Sequence, residues 1–401
     1  MPNSRSFDRF EMPRDNERLL GRPLPIVALN TESADDPLQP GDFAVDGVDI
    51  YTNTLCHGAG TEGDDRLCGY CFLSAAQLKS KNMMGQDHVD SILDWATQPN
   101  SPIETASLLG GEFPLHPDAK EMVHQVDDAG LNVRIVTNGS WAFRKLLQND
   151  DVVEVLKADN RDNLVAVSLD SLQPEINDRY RGKGATENAL ATIAMLGEKQ
   201  IPFRVNATVM KAAIDGLWDL YGFARQEGAQ AVLVHFPSMV GRGRRWDRLP
   251  NMRTHKQIEI PTSGATFDEP HEWEDSVRWS AKVYNAKRIP EDSSFRVTCE
   301  DGYGKVQNCR LLERSGSLQF LPPNPQTGEM PVVACGLNMA TAATESAYLF
   351  RDGSLFTRAG ITELSRARAR GTTYDHRCPL RPRTSLACIY DRLEPKNQST
   401  P

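Results

Sequence analysis

From about residue 43 onward, short apolar runs alternate with amphipathic segments. The runs Phe43–Cys56, Ile103–Glu112, Asn132–Asn138, Leu164–Asp170, Phe203–Met210 and Ala231–Phe236 are rich in Val and Ile and read as strands. Helical periodicity marks His88–Trp95, Ala119–Ala129, Trp141–Lys157, Glu187–Lys199 and Gly216–Gln226 between them. This alternation predicts an α/β fold with a parallel sheet. Right-handed crossovers leave two arrangements open: a doubly wound sheet or a curved, partial barrel.

The flanks differ from this middle. Residues 1–42 are polar, rich in Pro and Asp, and read as an extended arm. After Gly243 the strand–helix alternation is lost, which places a boundary near residue 245 and a separate region over 246–401. That region offers a helical segment near Glu272–Lys287, a Pro-rich stretch from Leu321 to Pro325, and a hairpin over Tyr348–Thr357 turning at Asp352-Gly353.

Composition narrows the function classes. With 39% hydrophobic and 25% charged residues, the 401-residue chain has an ordinary globular balance and length for a large core. The formal net charge of −9, without a basic block, argues against nucleic acid as a partner. No apolar stretch approaches the ~20 residues needed to cross a bilayer, and none has signal-peptide character, so no membrane partner and a cytoplasmic location are expected.

In that setting the eight cysteines point to metal binding or catalysis rather than disulfides. Cys56, Cys68 and Cys71 lie together, whereas Cys299, Cys309, Cys335, Cys378 and Cys388 occupy the last third. Thiolates are soft ligands suited to zinc or an iron–sulfur cluster. Cys68-Gly69-Tyr70-Cys71 supplies a close pair, and Cys56 ends the first strand. Structural zinc usually takes four protein ligands. His57 is an awkward fourth because it adjoins Cys56. Three cysteines on a four-iron cluster leave one iron open. Buried core thiols or a redox dithiol are the plain alternatives.

Ligands of parallel α/β folds bind at the carboxyl ends of the strands. Gly110-Gly111-Glu112, Thr137-Asn138-Gly139, Ser168 with Asp170, and Gly241-Arg242-Gly243 all fall at such ends. Each is weak alone, since Gly-Gly-Glu and Thr-Asn-Gly are also common turns. Their order along successive strands carries the signal.

Over residues 43–245 this combination resembles the radical S-adenosylmethionine (radical SAM) superfamily, whose fold is a partial (β/α)6 TIM-like barrel. The resemblance makes Cys56, Cys68 and Cys71 the ligands of a [4Fe–4S] cluster, and Tyr70 the aromatic residue whose backbone faces adenine. It gives the methionine amino group to Gly110, Gly111 and Glu112, with backbone carbonyls and the acid as acceptors. Asn138 also falls in the S-adenosylmethionine site. Ser168 and Asp170 take ribose and methionine carboxylate, with Arg179 and Arg181 as carboxylate partners; a solvated charge pair is the alternative for the two arginines. Two departures stand out. Eleven residues separate Cys56 from Cys68 where the family usually has three, and Phe113 separates Glu112 from Pro114. A longer loop costs little, about 0.6 kcal/mol per doubling.

The resemblance implies reductive cleavage of S-adenosylmethionine to a 5′-deoxyadenosyl radical that removes a substrate hydrogen, with flavodoxin or ferredoxin as electron donor. Residues 246–401 resemble a SPASM or twitch extension, implying a second [4Fe–4S] cluster among Cys299, Cys309, Cys335, Cys378 and Cys388. Arg358 stands where a ligand cysteine is expected, and the run Cys-x2-Cys is missing, so reduced thiols without a cluster are the alternative. The extension points to a peptide substrate, modified by cross-linking, epimerisation or oxidation. A small metabolite, such as a sugar or amino-acid derivative, is the competing substrate. A non-catalytic zinc module is the competing class. A dinucleotide dehydrogenase is disfavoured because no Gly-x-Gly-x-x-Gly follows the first strand. No particular catalytic side chain can be read from the chain.

Overall fold

A computed structural model describes residues 37–42, 45–56, 68, 70, 71, 73, 81–209, 211–235, 277, 280, 281, 284–287, 294–299, 316–325, 327–333 and 348–357. The strand–helix core runs β1 (Val45–Asn53), α1 (Gln86–Ala96), β2 (Thr105–Gly110), α2 (Ala119–Asp128), β3 (Asn132–Thr137), α3 (Trp141–Leu146), α4 (Asp150–Lys157), β4 (Leu164–Ser168), α5 (Pro174–Arg181), α6 (Ala185–Lys199), β5 (Phe203–Thr208), α7 (Leu217–Gln226) and β6 (Ala231–His235). Five short strands follow: β7 (Arg296–Cys299), β8 (Gly316–Phe320), β9 (Met330–Val333), β10 (Tyr348–Arg351) and β11 (Ser354–Thr357).

All these strands form one sheet in the order β11-β10-β9-β8-β1-β2-β3-β4-β5-β6-β7. From β8 through β7 every neighbouring pair is parallel. The strands β1 to β7 also follow one another in sequence order. Right-handed crossovers that always step the same way place their helices on one face. A doubly wound sheet would instead reverse its strand order. The arrangement is therefore the wall of a partial barrel, which resolves the alternative left open by periodicity.

The two faces of the wall differ chemically. Val48 and Ile50, Ala106 and Leu108, Val133 and Ile135, Val165 and Val167, Val205 and Ala207, and Val232 and Val234 face the helices and are buried in one apolar core. On the opposite, inner face the alternate positions include Asp49, Ser107, Arg134, Ser168, Arg204 and Asn206. Asp49, Ser107 and Arg134 pair across β1, β2 and β3 in a single row. Desolvation raises the Asp49 pKa, partly offset by hydrogen bonds from Ser107, Ser317 and Gln319. A dry outer face and a polar inner one suit a barrel that receives a ligand.

Several elements differ from the periodicity. The stretch 141–157 is two helices, because Asn149 is extended (φ −85°, ψ 113°) and its Nδ2 donates to the Leu146 carbonyl that ends α3 (2.9 Å). Asp150 and Asp151 then open α4, where carboxylates favour the helix dipole. Helix α5 has Pro174 in its first turn and buries Asn177 and Tyr180, too brief a pattern to stand out. Strands β7 and β8 come from beyond residue 245 yet pair with β6 and β1, so residues on both sides of the expected boundary share one sheet.

The expected hairpin is β10–β11, with Arg351 opposite Ser354 and Asp352 and Gly353 at φ +49° and +71°. Residues 277, 280, 281 and 284–287 are helical within the expected helix near Glu272–Lys287. Leu38, the described end of the arm, bridges Leu355, and its carbonyl accepts from the Trp95 indole (3.0 Å). Trp95 packs with Phe320 and Phe350, tying α1 to β8 and β10. No helix among the described residues is long and apolar enough to cross a membrane.

Two glycines allow the close approaches that shape the strand exits. A Cβ at Gly111 would lie 2.1 Å from the Leu55 carbonyl oxygen, and one at Gly139 (φ +79°) would lie 2.7 Å from Ala189 Cα. Gly111→Ala is expected to destabilise the protein by about 2 kcal/mol or more, through forced separation of β1 and β2. Gly130→Ala, at φ +81° with nothing within 4 Å, should cost only the left-handed penalty of about 1 kcal/mol. Urea unfolding of both variants measures the difference, and equal losses would contradict this account.

Candidate active site

The exit of β1 leads straight to Cys56 and is stitched to the exit of β2. Gly111 N–H donates to Asn53 O (2.9 Å) and Glu112 N–H to Leu55 O (2.5 Å). Asn53 stiffens this junction: its Oδ1 accepts from Leu55 N–H (2.8 Å), and its Nδ2 reaches the Glu112 carbonyl (3.3 Å). Gly110 and Gly111 thus lie beside the segment that carries Cys56.

The other two thiols share one turn, in which Cys71 N–H donates to the Cys68 carbonyl (3.2 Å). Cys71 packs with Cys56 against one patch formed by Tyr51, Leu73, Leu321 and Val333. Cys68 packs instead against Tyr70 and Tyr180, and its sulfur lies 3.9 Å from the Arg181 carbonyl. All three are half-buried, and none forms a disulfide. Among the described residues no three His, Cys, Asp or Glu side chains converge closely enough for a single metal ion. Closed tetrahedral zinc requires such convergence. A cubane cluster asks less, since each thiolate binds a different iron, and a turn pair with one thiol, Cys71, on the same patch as Cys56 fits that donor set.

Tyr70 locks this turn to the barrel. Its hydroxyl donates to Asp170 Oδ2, while Asp170 Oδ1 accepts from Arg181 Nη2 (2.6 Å) and Thr208 N–H (2.8 Å). The Arg181 guanidinium lies 5.5 Å from the Tyr70 ring centre. Burial holds the Tyr70 phenol well above its ordinary pKa, so it remains a donor. Burial alone would lower the pKa of Arg181, but the facing Asp170 carboxylate raises it. Asp170 and Arg181 are therefore engaged with the protein, although Arg181 Nε is buried without a hydrogen-bond partner. Arg179 is on the exposed side of α5, 5.9 Å from the Tyr180 ring centre.

Glu112 is also turned inward. It is 2% exposed and accepts from the Thr137 hydroxyl, Asn138 N–H (2.8 Å) and the Ser140 hydroxyl (2.9 Å). Ser140 at the same time caps α3 by accepting from Phe143 N–H (3.3 Å). The acid thus binds the β2 exit to the β3 exit rather than facing an open site. The Asn138 side chain points back to Cys56, with Nδ2 3.9 Å from Sγ. Ser168, half-buried at the end of β4, pairs in register with Asn206 of β5. Asn206 Oδ1 is buried and has no hydrogen-bond partner.

Sequence reasoning missed Asn206, Asn53 and Ser140, and named Thr137 only as part of the β3 exit. Asn206 had a readable signal, since with Arg204 and Thr208 it makes the alternate register of β5 polar. Cys299 lies at the end of β7, opposite Val234. His57, Gly241–Gly243, Cys309, Cys335, Cys378 and Cys388 lie outside the described residues.

Residues 61–223 match the radical SAM superfamily. The chain is 31% identical over 247 residues to the AdoMet-dependent heme synthase of Methanosarcina barkeri, covering 61% of this chain and 62% of that protein. It is 28% identical over 182 residues to the antilisterial bacteriocin subtilosin biosynthesis protein AlbA of Bacillus subtilis, covering 44% and 38%. The chain thus spans less than two thirds of either relative. The crystal structure of Streptococcus suis SuiB bound to precursor peptide SuiA superposes with a TM-score of 0.53 and 15% identity, over 75% of this chain and 62% of that one. At that identity the likeness is one of fold.

Desolvation raises the pKa of Glu112 from 4.5 to about 7, against the lowering effect of its three hydrogen bonds. The folded state therefore binds this proton more tightly than the unfolded state. Its stabilising contribution is full below pH 4.5 and is lost as pH rises to about 7, a change on the order of 3 kcal/mol. Glu112→Gln is expected to flatten the stability profile between pH 5 and 7, measured by urea unfolding. A variant with the wild-type slope would contradict the buried-acid reading.

Proposed function

Because residues 61–223 match the radical SAM superfamily, we propose that the chain belongs to it and that Cys56, Cys68 and Cys71 hold a [4Fe–4S] cluster. Three protein ligands leave one iron open to the amino and carboxylate groups of S-adenosylmethionine. Once bound, the cluster would supply the one electron that cleaves S-adenosylmethionine into methionine and a 5′-deoxyadenosyl radical able to remove a substrate hydrogen. The protein's task is to hold, orient and shield them. The observation that carries the reading is that Cys71 shares one patch with Cys56, beside the Gly110–Gly111 exit, while the backbone turn joins Cys71 to Cys68.

The chain's own groups divide the work. The backbone of Gly110 and Gly111 offers carbonyl acceptors for the methionine amino group, since the Glu112 oxygens are occupied by Thr137, Asn138 and Ser140. Arg181 Nε and Asn206 Oδ1 are buried polar atoms without protein partners. Such atoms call for a ligand. Arg181 Nε suits a carboxylate, and Asn206 with Ser168 suits sugar hydroxyls. The electron comes from a donor such as flavodoxin or ferredoxin. Residues 246–401 shape the substrate side.

The proposed substrate is a peptide. The relatives AlbA and the sporulation killing factor maturation protein SkfB of Bacillus subtilis support it. A second reading, a tetrapyrrole or other small molecule, is favoured by the resemblance to AdoMet-dependent heme synthase.

Anaerobically reconstituted protein is expected to release 5′-deoxyadenosine from S-adenosylmethionine under a strong reductant, and Cys68→Ala to abolish this. Unchanged turnover in that variant would refute the ligand assignment. Release should accelerate with precursor-type peptides and not with an iron porphyrin; stimulation by the porphyrin alone transfers the assignment to the second reading.

A further inference from the structure

Resting on the reading of Cys56 as a cluster ligand, we propose that Asn138 donates a hydrogen bond to the Cys56 sulfur and thereby raises the reduction potential of the cluster. The Asn138 Nδ2 stands 3.9 Å from Cys56 Sγ. That is a long contact for a neutral thiol, and hydrogen bonds shorten and strengthen when the acceptor carries charge, as a metal-bound thiolate does.

The donor is held in place from two sides. Its own N–H is fixed to Glu112 Oε2 (2.8 Å), and the next residue, Gly139, donates to Thr137 Oγ1 (3.0 Å). Gly139 also sits so close to α6 that a Cβ there would lie 2.7 Å from Ala189 Cα, so the β3 exit has no room to swing. The Glu112 backbone in turn is bonded to Leu55, the neighbour of Cys56. Donor and sulfur are therefore parts of one rigid junction between the β1, β2 and β3 exits.

Hydrogen bonds to ligand sulfurs are among the factors that set cluster potentials. Reduction adds one electron, from an external reductant, and increases the negative charge shared by the sulfurs. A fixed donor stabilises the reduced form more than the oxidised form, which makes reduction easier. The amide does this without taking part in proton transfer.

The test is a potentiometric titration of anaerobically reconstituted protein, with the reduced cluster counted by electron paramagnetic resonance. Asn138→Ala and Asn138→Leu both delete the donor without adding charge, one leaving space and the other filling it. At the wild-type midpoint the reduced-to-oxidised ratio is expected to fall about threefold to tenfold in both, tenfold corresponding to 59 mV for one electron. An unchanged ratio in either variant that holds its iron overturns the proposal. Loss of iron from both also overturns it, because a donor that only tunes the cluster is not needed to hold it. Cys56→Ala separates the underlying reading: full iron retention there means Cys56 is no ligand, whereas iron loss there with unshifted Asn138 variants rejects only the hydrogen bond's effect.

Discussion

The Asp170 carboxylate is the point on which the site's geometry depends, because three separate segments end on its two oxygens. Tyr70 brings the turn of Cys68 and Cys71, Arg181 brings helix α5, and the Thr208 N–H brings the exit of β5. Asp170 and Arg181 are 1% and 9% exposed, so water contributes little to either charge. Removing one partner of such a pair typically costs 3–5 kcal/mol, since the other charge stays buried. The pair is weak grounds for overall stability, but it fixes where the thiol turn meets the barrel. Glu112 plays the corresponding part across β2 and β3, with neutral donors in place of an arginine.

This explains how a parallel wall becomes a site. Its outer face is closed by apolar packing against the helices, while its inner face keeps polar residues at alternate positions of the same strands. Two buried acids collect the strand exits at one end, and close glycine contacts leave no slack between them. The chemistry-bearing groups then stand at the carboxyl ends of successive strands, where parallel α/β folds accept ligands.

Such a site is compatible with more than one substrate. The relatives include heme synthases and proteins of bacteriocin biosynthesis, and the match to the superfamily spans 61–223. Under the proposed reading, radical generation would belong to that shared part and substrate choice to what surrounds it. Strands β7 and β8 are notable here, since residues beyond 245 extend the wall at both edges and tie the later segment to the barrel.

Local pattern alone determined much. Six strands of Val and Ile, the thiol pair around Gly69-Tyr70, and a hairpin turning at Asp352-Gly353 each depend on spacing within about ten residues, which a sequence displays directly. Partnership did not show. Tyr70 and Asp170 are 100 residues apart, and Glu112 and Thr137 are 25, so no periodicity relates them. Glu112, Asp170 and Arg181 read as groups waiting for a ligand because chemistry by residue type assumes an open site. Only the tertiary structure decided that most of their hydrogen-bonding capacity is spent inside the protein, and that Arg181 Nε and Asn206 Oδ1 are among the buried atoms still without a partner. The physical reason is that a buried polar group must find its partner wherever the fold brings one, and that place is set by packing across the sheet rather than by neighbours along the chain.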